Sequence, residues 1–335
     1  MSAPPGSPRR APAVEAGPPG SASAGRRLPD PSGYVVYLAF LLILAFFAIT
    51  VGDDGFLDPD NLLNIAKQTA PVTIMAVAVV FVLSAGEIDL SIGSIVALSA
   101  LVAAVVLRDV GLVAGIAAGL GTGVAIGLVN GLFVTILRLP SFLVTLATMG
   151  LVAGLARTIT DLQSVAVTDL TFANAFGSGD VGPVPSLILW TLGALVVGHF
   201  ALRHTRFGAH VLATGDNADA ARVSGVPVGR IKLQVLVLSG AAAALAGLLY
   251  AGRLQGARYD LASTDLLLVI AAVVIGGTRL FGGAGSVIGA VFGSLLLGVL
   301  NNGLILSGLD NNEQMVAQGV LLLLAISLTL REPKA

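Results

Sequence analysis

The chain has 335 residues, of which 56% are hydrophobic and 11% are charged, and its formal net charge is −1. Soluble domains carry about 25% charged residues, so this composition excludes a soluble globular protein and indicates an integral membrane protein. The sequence contains no cysteine, which excludes both a disulfide framework and thiol chemistry.

The first 33 residues differ in composition from the rest of the chain. They are rich in Pro, Gly, Ala and Ser and include the arginine pairs at 9–10 and 26–27. Such a segment buries too little apolar surface to offset the entropy of ordering it, so we predict a disordered cytoplasmic extension. The apolar stretch 34–51 follows without a small-residue cleavage site, which favours a first transmembrane helix over a signal peptide.

Apolar stretches recur along the remaining chain and predict an all-α polytopic membrane domain over 34–330, with a short tail at 331–335. A helix needs about 20 apolar residues to cross the hydrocarbon core. Ten candidate spans meet or approach this length: 34–51, 62–83, 91–107, 111–137, 141–160, 184–202, 231–250, 264–277, 286–306 and 313–330. With ten spans, both termini lie on one side of the membrane.

The placement of Lys and Arg predicts which side is the cytoplasm. If the N-terminus is cytoplasmic, thirteen of the 18 Lys and Arg residues lie inside and five lie outside. This bias follows the positive-inside rule. We therefore expect a multi-pass membrane protein with both termini in the cytoplasm.

The segment Gly86–Ser94, with the sequence GEIDLSIGS, carries the only charged residues between Gln68 and Leu107, namely Glu87 and Asp89. A carboxylate in an apolar run marks either a functional site or a break between two helices. The span count places this segment at the cytoplasmic boundary and favours a break between helices. The two acids are then expected to anchor the loop or to face a cytoplasmic partner, and not to contact a substrate.

Parts of the chain resemble each other in the same order. Gly86–Ser94 resembles Gly277–Ser286, and GLVNGL at 127–132 resembles GVLNNGL at 298–304. Both glycine-rich loops follow a span that runs from outside to inside, so we predict two parallel pseudo-repeats. Parallel repeats related by an axis along the membrane normal are found in transporters.

Two kinds of residue within the apolar spans predict helix contacts. Glycines recur every four residues from Gly111 to Gly131, a spacing that lets helix backbones approach closely. The polar side chains inside spans either line a substrate pathway or form hydrogen bonds between helices, and the second role is the more frequent. These side chains are Asn130, Thr145, Thr148, Asn301, Asn302 and Gln318.

Residues 203–230 form the largest polar segment between spans. Within it, Asp219–Gly225 has the composition of a short helix, which Gly225 can end by adopting a positive φ and which Pro227 cannot continue. Asp219 and Arg222 are expected on its polar side. A short amphipathic helix on a membrane domain fits a groove in a soluble partner, although a connecting loop is the alternative.

The same segment resembles the EAA-x-x-x-G loop of permeases from ATP-binding cassette (ABC) importers, with Asp219 in place of Glu. Residues 34–330 as a whole resemble the ribose-type permease family of bacterial ABC importers. The stretches that carry this resemblance are Gly86–Ser94, Pro140–Gly150, Thr205–Gly225 and Val274–Gly293. The chain departs from the family pattern at Glu87, where Gly is usual, and in its N-terminal extension.

The resemblance implies a permease subunit that translocates a monosaccharide, such as a ribose-like pentose. It implies as partners a cytoplasmic ATP-binding subunit, an extracytoplasmic sugar-binding protein and a second permease copy, and no nucleic acid. The residues that match the ATPase-coupling loop are Gly215, Asn217, Asp219, Ala220, Ala221, Arg222 and Gly225. Those that match the signature loop are Gly86, Asp89, Ser91, Gly93 and Ser94.

No catalytic or metal-binding residues are predicted in this chain. It lacks the GxxxxGK[ST] loop of ATPases, so ATP and Mg²⁺ are expected to be used by the partner. An ion-coupled secondary transporter remains an alternative, but the spans outside the acidic loop are expected to lack the carboxylates that ion coupling requires. A non-sugar substrate for the same permease is a second alternative.

Overall fold

The computed structural model describes residues 35–310, 312–317, 319–320 and 323. The predicted extension at 1–33, the tail at 331–335, Gln318 and most of the predicted span 313–330 lie outside the described residues.

Helices dominate the described part of the chain. In chain order they are α1 (Val35–Thr50), α2 (Pro59–Ser84), α3 (Ile92–Asp109), α4 (Leu112–Thr135), α5 (Ser141–Ile159), α6 (Leu170–Ala173), α7 (Ser186–His204), α8 (Arg206–Asp216), α9 (Ala218–Val223), α10 (Val228–Leu254), α11 (Asp265–Ile275) and α12 (Val287–Leu306). A π-helical turn at Asn174–Ser178 follows α6, and there are four two-residue strands: β1 (Val165–Ala166), β2 (Asp180–Val181), β3 (Val184–Pro185) and β4 (Gly256–Ala257).

Seven of these helices are long and apolar enough to cross a membrane: α2, α3, α4, α5, α7, α10 and α12. α1 and α11 are shorter apolar helices. A helix therefore lies in each of the first nine predicted spans, and the prediction of an all-α polytopic membrane protein is confirmed.

From Gly115 to Gly131 the glycine stripe packs first against α3 and then against α10, whereas a Cβ on Gly111 would meet nothing within 4 Å. A Cβ atom on Gly123 would come within 2.2 Å of the Gly240 carbonyl oxygen, and a Cβ on Gly240 would come equally close to the Gly123 carbonyl oxygen. One turn further along α4, a Cβ on Gly127 would lie 2.6 Å from the Leu236 carbonyl oxygen. The predicted packing role of these glycines is confirmed, because only hydrogen atoms fit between the two backbones.

Burial differs between the spanning helices. In its most apolar stretch α2 has 83% of its residues buried, whereas α4, α5 and α7 each have 22% buried. α10 packs along α4, α3 and α2. The apolar outer faces of α4, α5 and α7 are therefore open to lipid or to another membrane protein, while α2 and α10 form the centre of the bundle.

The segment 161–183, which lies between the predicted spans 141–160 and 184–202, folds onto the end of α10. Its strand β1 pairs antiparallel with β4, which follows α10, and Val165 lies opposite Ala257. Its strand β2 forms a hairpin with β3, which precedes α7. Gly177 contacts the backbone of α10 so closely that a Cβ would lie 2.0 Å from the Arg253 nitrogen. This segment is thus a packed cap.

Candidate functional site

The two glycine-rich loops begin with the same helix-ending turn. After α2, the Gly86 and Glu87 amides donate to the carbonyls of Leu83 and Val82, at 2.9 and 3.0 Å. After α11, the Gly277 and Thr278 amides donate to Val274 and Val273, at 3.0 and 3.1 Å. The φ angles of Gly86 and Gly277 are +76° and +85°. Both ends are Schellman motifs, which require a left-handed residue that is usually Gly.

Beyond this turn the two loops differ. The α2–α3 loop covers residues 85–91, whereas the α11–α12 loop covers residues 276–286 and is longer by about one helical turn. Gly93 and Ser94 consequently lie in the first turn of α3 and not in the loop. Ser286, the predicted counterpart of Ser94, is instead the N-cap of α12 and accepts a hydrogen bond from the Gly289 amide at 3.0 Å.

The second pair of repeat landmarks does not occupy equivalent helices. GLVNGL at 127–132 lies in α4, the second helix after its loop, while GVLNNGL at 298–304 lies in α12, the first helix after its loop. Consecutive spanning helices run in opposite directions, so the two motifs point opposite ways across the membrane. This part of the predicted repeat is wrong, because an ordered pair of short motifs does not reveal how many helices precede each one.

Asp89 holds the end of the α2–α3 loop against the start of α3. Its Oδ1 atom accepts hydrogen bonds from the Ser91 amide at 2.9 Å and the Ser91 hydroxyl at 2.6 Å. Burial raises the pKa of the Asp89 carboxyl, and the hydrogen bonds from Ser91 oppose that shift. The Ser239 hydroxyl of α10 approaches the carboxylate without completing a hydrogen bond to the buried Oδ2 atom.

A buried chain of hydrogen bonds continues from Ser91 into two further helices. The Asn130 side-chain amide on α4 donates to the Ser91 hydroxyl at 3.0 Å. The Thr148 hydroxyl on α5 donates to the Asn130 carbonyl oxygen at 2.7 Å. Asn130 is fully buried. The chain therefore ties the α2–α3 loop, α3, α4 and α5 into one unit.

The first turns of α5 bind the backbone of the same loop. The Ile88 amide donates to the Ser141 hydroxyl and the Leu90 amide to the Thr145 hydroxyl, each at 3.0 Å. Thr145 is fully buried. Asn130 and Thr148 therefore form a hydrogen bond between helices, the more frequent of the two predicted roles, whereas Thr145 binds the α2–α3 loop.

The remaining polar residues predicted within spans lie in α12 and beyond it. Asn302 on α12 and Asn61 on α2 exchange a reciprocal pair of side-chain amide hydrogen bonds, each 2.9 Å long. This pair fixes α12 against α2. Asn301 is half-buried in the same helix.

The predicted coupling segment forms two helices, α8 and α9. Asn217 caps α9 by accepting hydrogen bonds from the amides of Asp219 and Ala220, at 3.1 and 3.0 Å. Gly225 ends α9 with a φ of +86°, as predicted. The exposed face carries the Asp219–Arg222 ion pair, with 2.7 Å between Oδ1 and Nη1.

The two predicted alanines of α9 have different surroundings. Ala221 is buried and Ala220 is exposed. Val223, the last residue of the helix, is 90% exposed.

Gly215, at the end of α8, joins the coupling segment to both glycine-rich loops. A Cβ on Gly215 would lie 1.9 Å from the Ser84 carbonyl oxygen and 2.7 Å from the Gly283 nitrogen. The Gly283 amide donates to that Ser84 carbonyl at 3.1 Å. The end of α2, the α11–α12 loop and the segment preceding α9 therefore meet at one backbone junction.

Two features of the described residues were missed from the sequence. Asp265, at the start of α11, is buried and accepts a 2.5 Å hydrogen bond from the Tyr250 hydroxyl on α10. The prediction that the spans lack acids outside the α2–α3 loop is wrong here, and the position of Asp265 within the span 264–277 was the available signal. Glu87 forms an ion pair with Lys232 on α10, a contact that no local pattern reveals.

Comparisons with known proteins identify the family to which the chain belongs. A family model described as "branched-chain amino acid transport system / permease component" matches residues 61–326. The ribose import permease of Bacillus subtilis strain 168 is 37% identical over 289 residues, covering 86% of this chain and 90% of that protein. The ribose import permease of Escherichia coli K12 is 38% identical over 311 residues, covering 90% and 96%.

A third relative carries a different sugar in its name. The L-arabinose ABC transporter permease of Azospirillum brasilense is 36% identical over 303 residues, covering 90% of this chain and 87% of that protein. No solved structure matches the chain. The chain belongs to the family of bacterial plasma-membrane permeases that includes the ribose and L-arabinose import permeases.

Proposed function

We propose that this chain is the membrane-spanning permease subunit of an ATP-driven importer for a monosaccharide such as ribose or L-arabinose. The observation that carries the proposal is the similarity along most of the chain to permeases named for these two sugars. The family model is named for branched-chain amino acids, so a sugar substrate rests on these relatives. The predicted ten spans and cytoplasmic termini belong to the same proposal.

The proposed importer needs other subunits. A separate cytoplasmic ATPase would bind ATP and Mg²⁺, an extracytoplasmic protein would deliver the sugar, and a second permease copy would complete the membrane part. α9 is the proposed contact for the ATPase. Its support is the exposed Val223, the exposed Asp219–Arg222 pair and the capped, rigid ends of the helix.

The junction at Gly215 offers a mechanical route from the ATPase to the membrane helices. A movement of α9 would displace Gly215, which is in close backbone contact with the end of α2 and with the α11–α12 loop. Because packed backbones leave no free volume, such a displacement has to move both contacts. ATP binding and hydrolysis in the partner would thereby alter the packing of α2 and α11 together.

Transport in a reconstituted system tests the proposed function. The permease is incorporated into liposomes with its ATPase and binding protein, and uptake of labelled ribose, L-arabinose and leucine is measured with and without ATP. We expect uptake of one of the sugars that requires ATP hydrolysis and the binding protein. Sugar flux that follows an ion gradient without ATP would contradict the proposal, and ATP-dependent uptake of leucine alone would contradict its sugar substrate.

A substitution at Val223 tests the role of α9. Val223→Asp places a charge where the partner is expected to bury an apolar side chain, and burial of a valine contributes roughly 1.5 kcal/mol or more. We expect the ATPase to co-purify at least about tenfold less efficiently. Val181→Asp is the matched control, because Val181 is 65% exposed in the cap at the other end of α10. Equal co-purification of both variants would refute the assignment of α9.

A further inference from the structure

The α2–α3 loop is held on two sides by different kinds of interaction. On the α5 side, Ser141 and Thr145 bind its backbone, as described above. On the α10 side, the Glu87 carboxylate forms an ion pair with Lys232, with 2.5 Å between Oε1 and Nζ. The Glu87 side chain is 6% exposed and that of Lys232 is 29% exposed.

Lys232 lies in the first turns of α10, shortly after the turn that ends α9. The residues between them are few: α9 ends at Val223 and α10 begins at Val228. Glu87, Lys232 and Arg222 of α9 also line one cleft of about 540 Å³, together with Arg138 and Ser141. A displacement of α9 therefore reaches Lys232 through a short, capped connection.

We propose that the Glu87–Lys232 ion pair is a coupling strut, which transmits the movement of α9 and the start of α10 to the α2–α3 loop. Glu87 and Lys232 are positioning residues, since neither is assigned a contact with substrate or ATP. The loop is already fastened to α3, α4 and α5 by Asp89, Ser91 and Asn130. A pull on Glu87 consequently moves these helices as one unit. This inference rests on the proposed function and adds a second route beside the Gly215 junction.

The burial of the Glu87 carboxylate explains why the pair can act in this way. An exposed ion pair contributes little and exchanges readily with water. Removal of one partner of a buried pair leaves an uncompensated charge, so the pair is held closed much more firmly. The strut is expected to stay closed while α9 and the loop move together.

The test measures how many ATP molecules are hydrolysed for each sugar imported. In the full complex in liposomes, Glu87→Gln and Lys232→Gln are each expected to raise this ratio about tenfold, because energetic coupling between sites is typically worth 5- to 150-fold. Arg258→Gln is the matched control, since it breaks an exposed ion pair with Asp260 in the loop after α10. Its ratio should equal that of the unmodified protein.

A reversible covalent cross-link distinguishes a loss of coupling from a loss of folding. The chain contains no cysteine, so Glu87→Cys with Lys232→Cys introduces a single pair of thiols. A short bifunctional methanethiosulfonate bridges them by forming a disulfide with each thiol, and a reductant releases the bridge. Bridging is expected to lower the ratio towards that of the unmodified protein, and release should raise it again in the same preparation.

Two results would overturn the strut. One is an unchanged ratio in both single variants, and the other is the same ratio in the bridged and released double-cysteine protein. A failure of the proposed function is recognised separately, because the unmodified complex would then show no ATP-dependent sugar uptake.

Discussion

Gly215→Val is expected to abolish ATP-dependent transport. The new Cβ atom would lie 1.9 Å from the Ser84 carbonyl oxygen and 2.7 Å from the Gly283 nitrogen, and both are backbone atoms that no side-chain rotation can move. The end of α8 would have to leave the junction, which breaks the contact between the coupling segment and the two glycine-rich loops. Uptake by the reconstituted complex measures the loss, which we expect to exceed about a hundredfold if close to 3 kcal/mol of packing is disrupted.

Gly193→Val provides the matched control for that substitution. Gly193 lies on α7, is exposed, and an added Cβ there would meet nothing within 4 Å. We expect transport by this variant to equal that of the unmodified protein. Normal uptake by Gly215→Val would show that the junction tolerates separation and would remove the proposed mechanical route.

Gly123→Ala is expected to reduce the stability of the protein by about 1–3 kcal/mol, the usual cost of overpacking a close contact. The added methyl group would come within 2.2 Å of the Gly240 carbonyl oxygen and force α4 away from α10. Because α10 also packs against α2 and α3, the displacement would spread through the centre of the bundle. The midpoint of thermal aggregation in detergent measures the effect.

Gly121→Ala isolates the cause of that loss. Gly121 lies on the same helix two residues away, is exposed, and would place its Cβ in open space. Since Ala is intrinsically more favourable than Gly in a helix, we expect this variant to be as stable as the original or more so. Equal destabilisation by both substitutions would mean that the loss is not due to the α4–α10 contact.

Much of the helix layout could be predicted from local sequence. The predicted span 62–83 became α2 (Pro59–Ser84), and 141–160 became α5 (Ser141–Ile159). The break between helices at Gly86–Ser94 and the left-handed turn at Gly225 were also predicted, the latter because a left-handed residue after a helix is usually a glycine. These features depend on residues that are close together along the chain.

The predicted repeat and the segment 161–183 show what local sequence could not predict. The matching glycine turns after α2 and α11 are real, but the Asn-Gly motifs were matched across non-equivalent helices. Segment 161–183 had no apolar periodicity and looked like a loop. Its order comes from pairing with β4 and packing against α10, and both partners are remote in sequence.

The polar residues inside the spans show, for the candidate site, the same difference between what local sequence predicts and what only helix packing decides. Their positions could be read from the sequence, and so could the two roles open to them. Only the packing of α3, α4 and α5 shows that Asn130 reaches Ser91 and that Thr145 reaches the Leu90 amide. A hydrogen bond needs its two atoms within about 3 Å, and local sequence cannot place atoms from separate helices at that distance.

The sequence by itself determined that this chain crosses the membrane many times, where most helices end, and which segment resembles a coupling loop. Composition and periodicity suffice for the spans and the helix ends, because these follow from the solvation of apolar side chains and from the backbone freedom of glycine. The coupling loop was identified by its resemblance to a family motif. The tertiary structure alone decided that Glu87 pairs with Lys232 and that Gly215 joins both glycine-rich loops. Both contacts exist only because close helix packing brings distant segments together, and that packing is a property of the whole bundle.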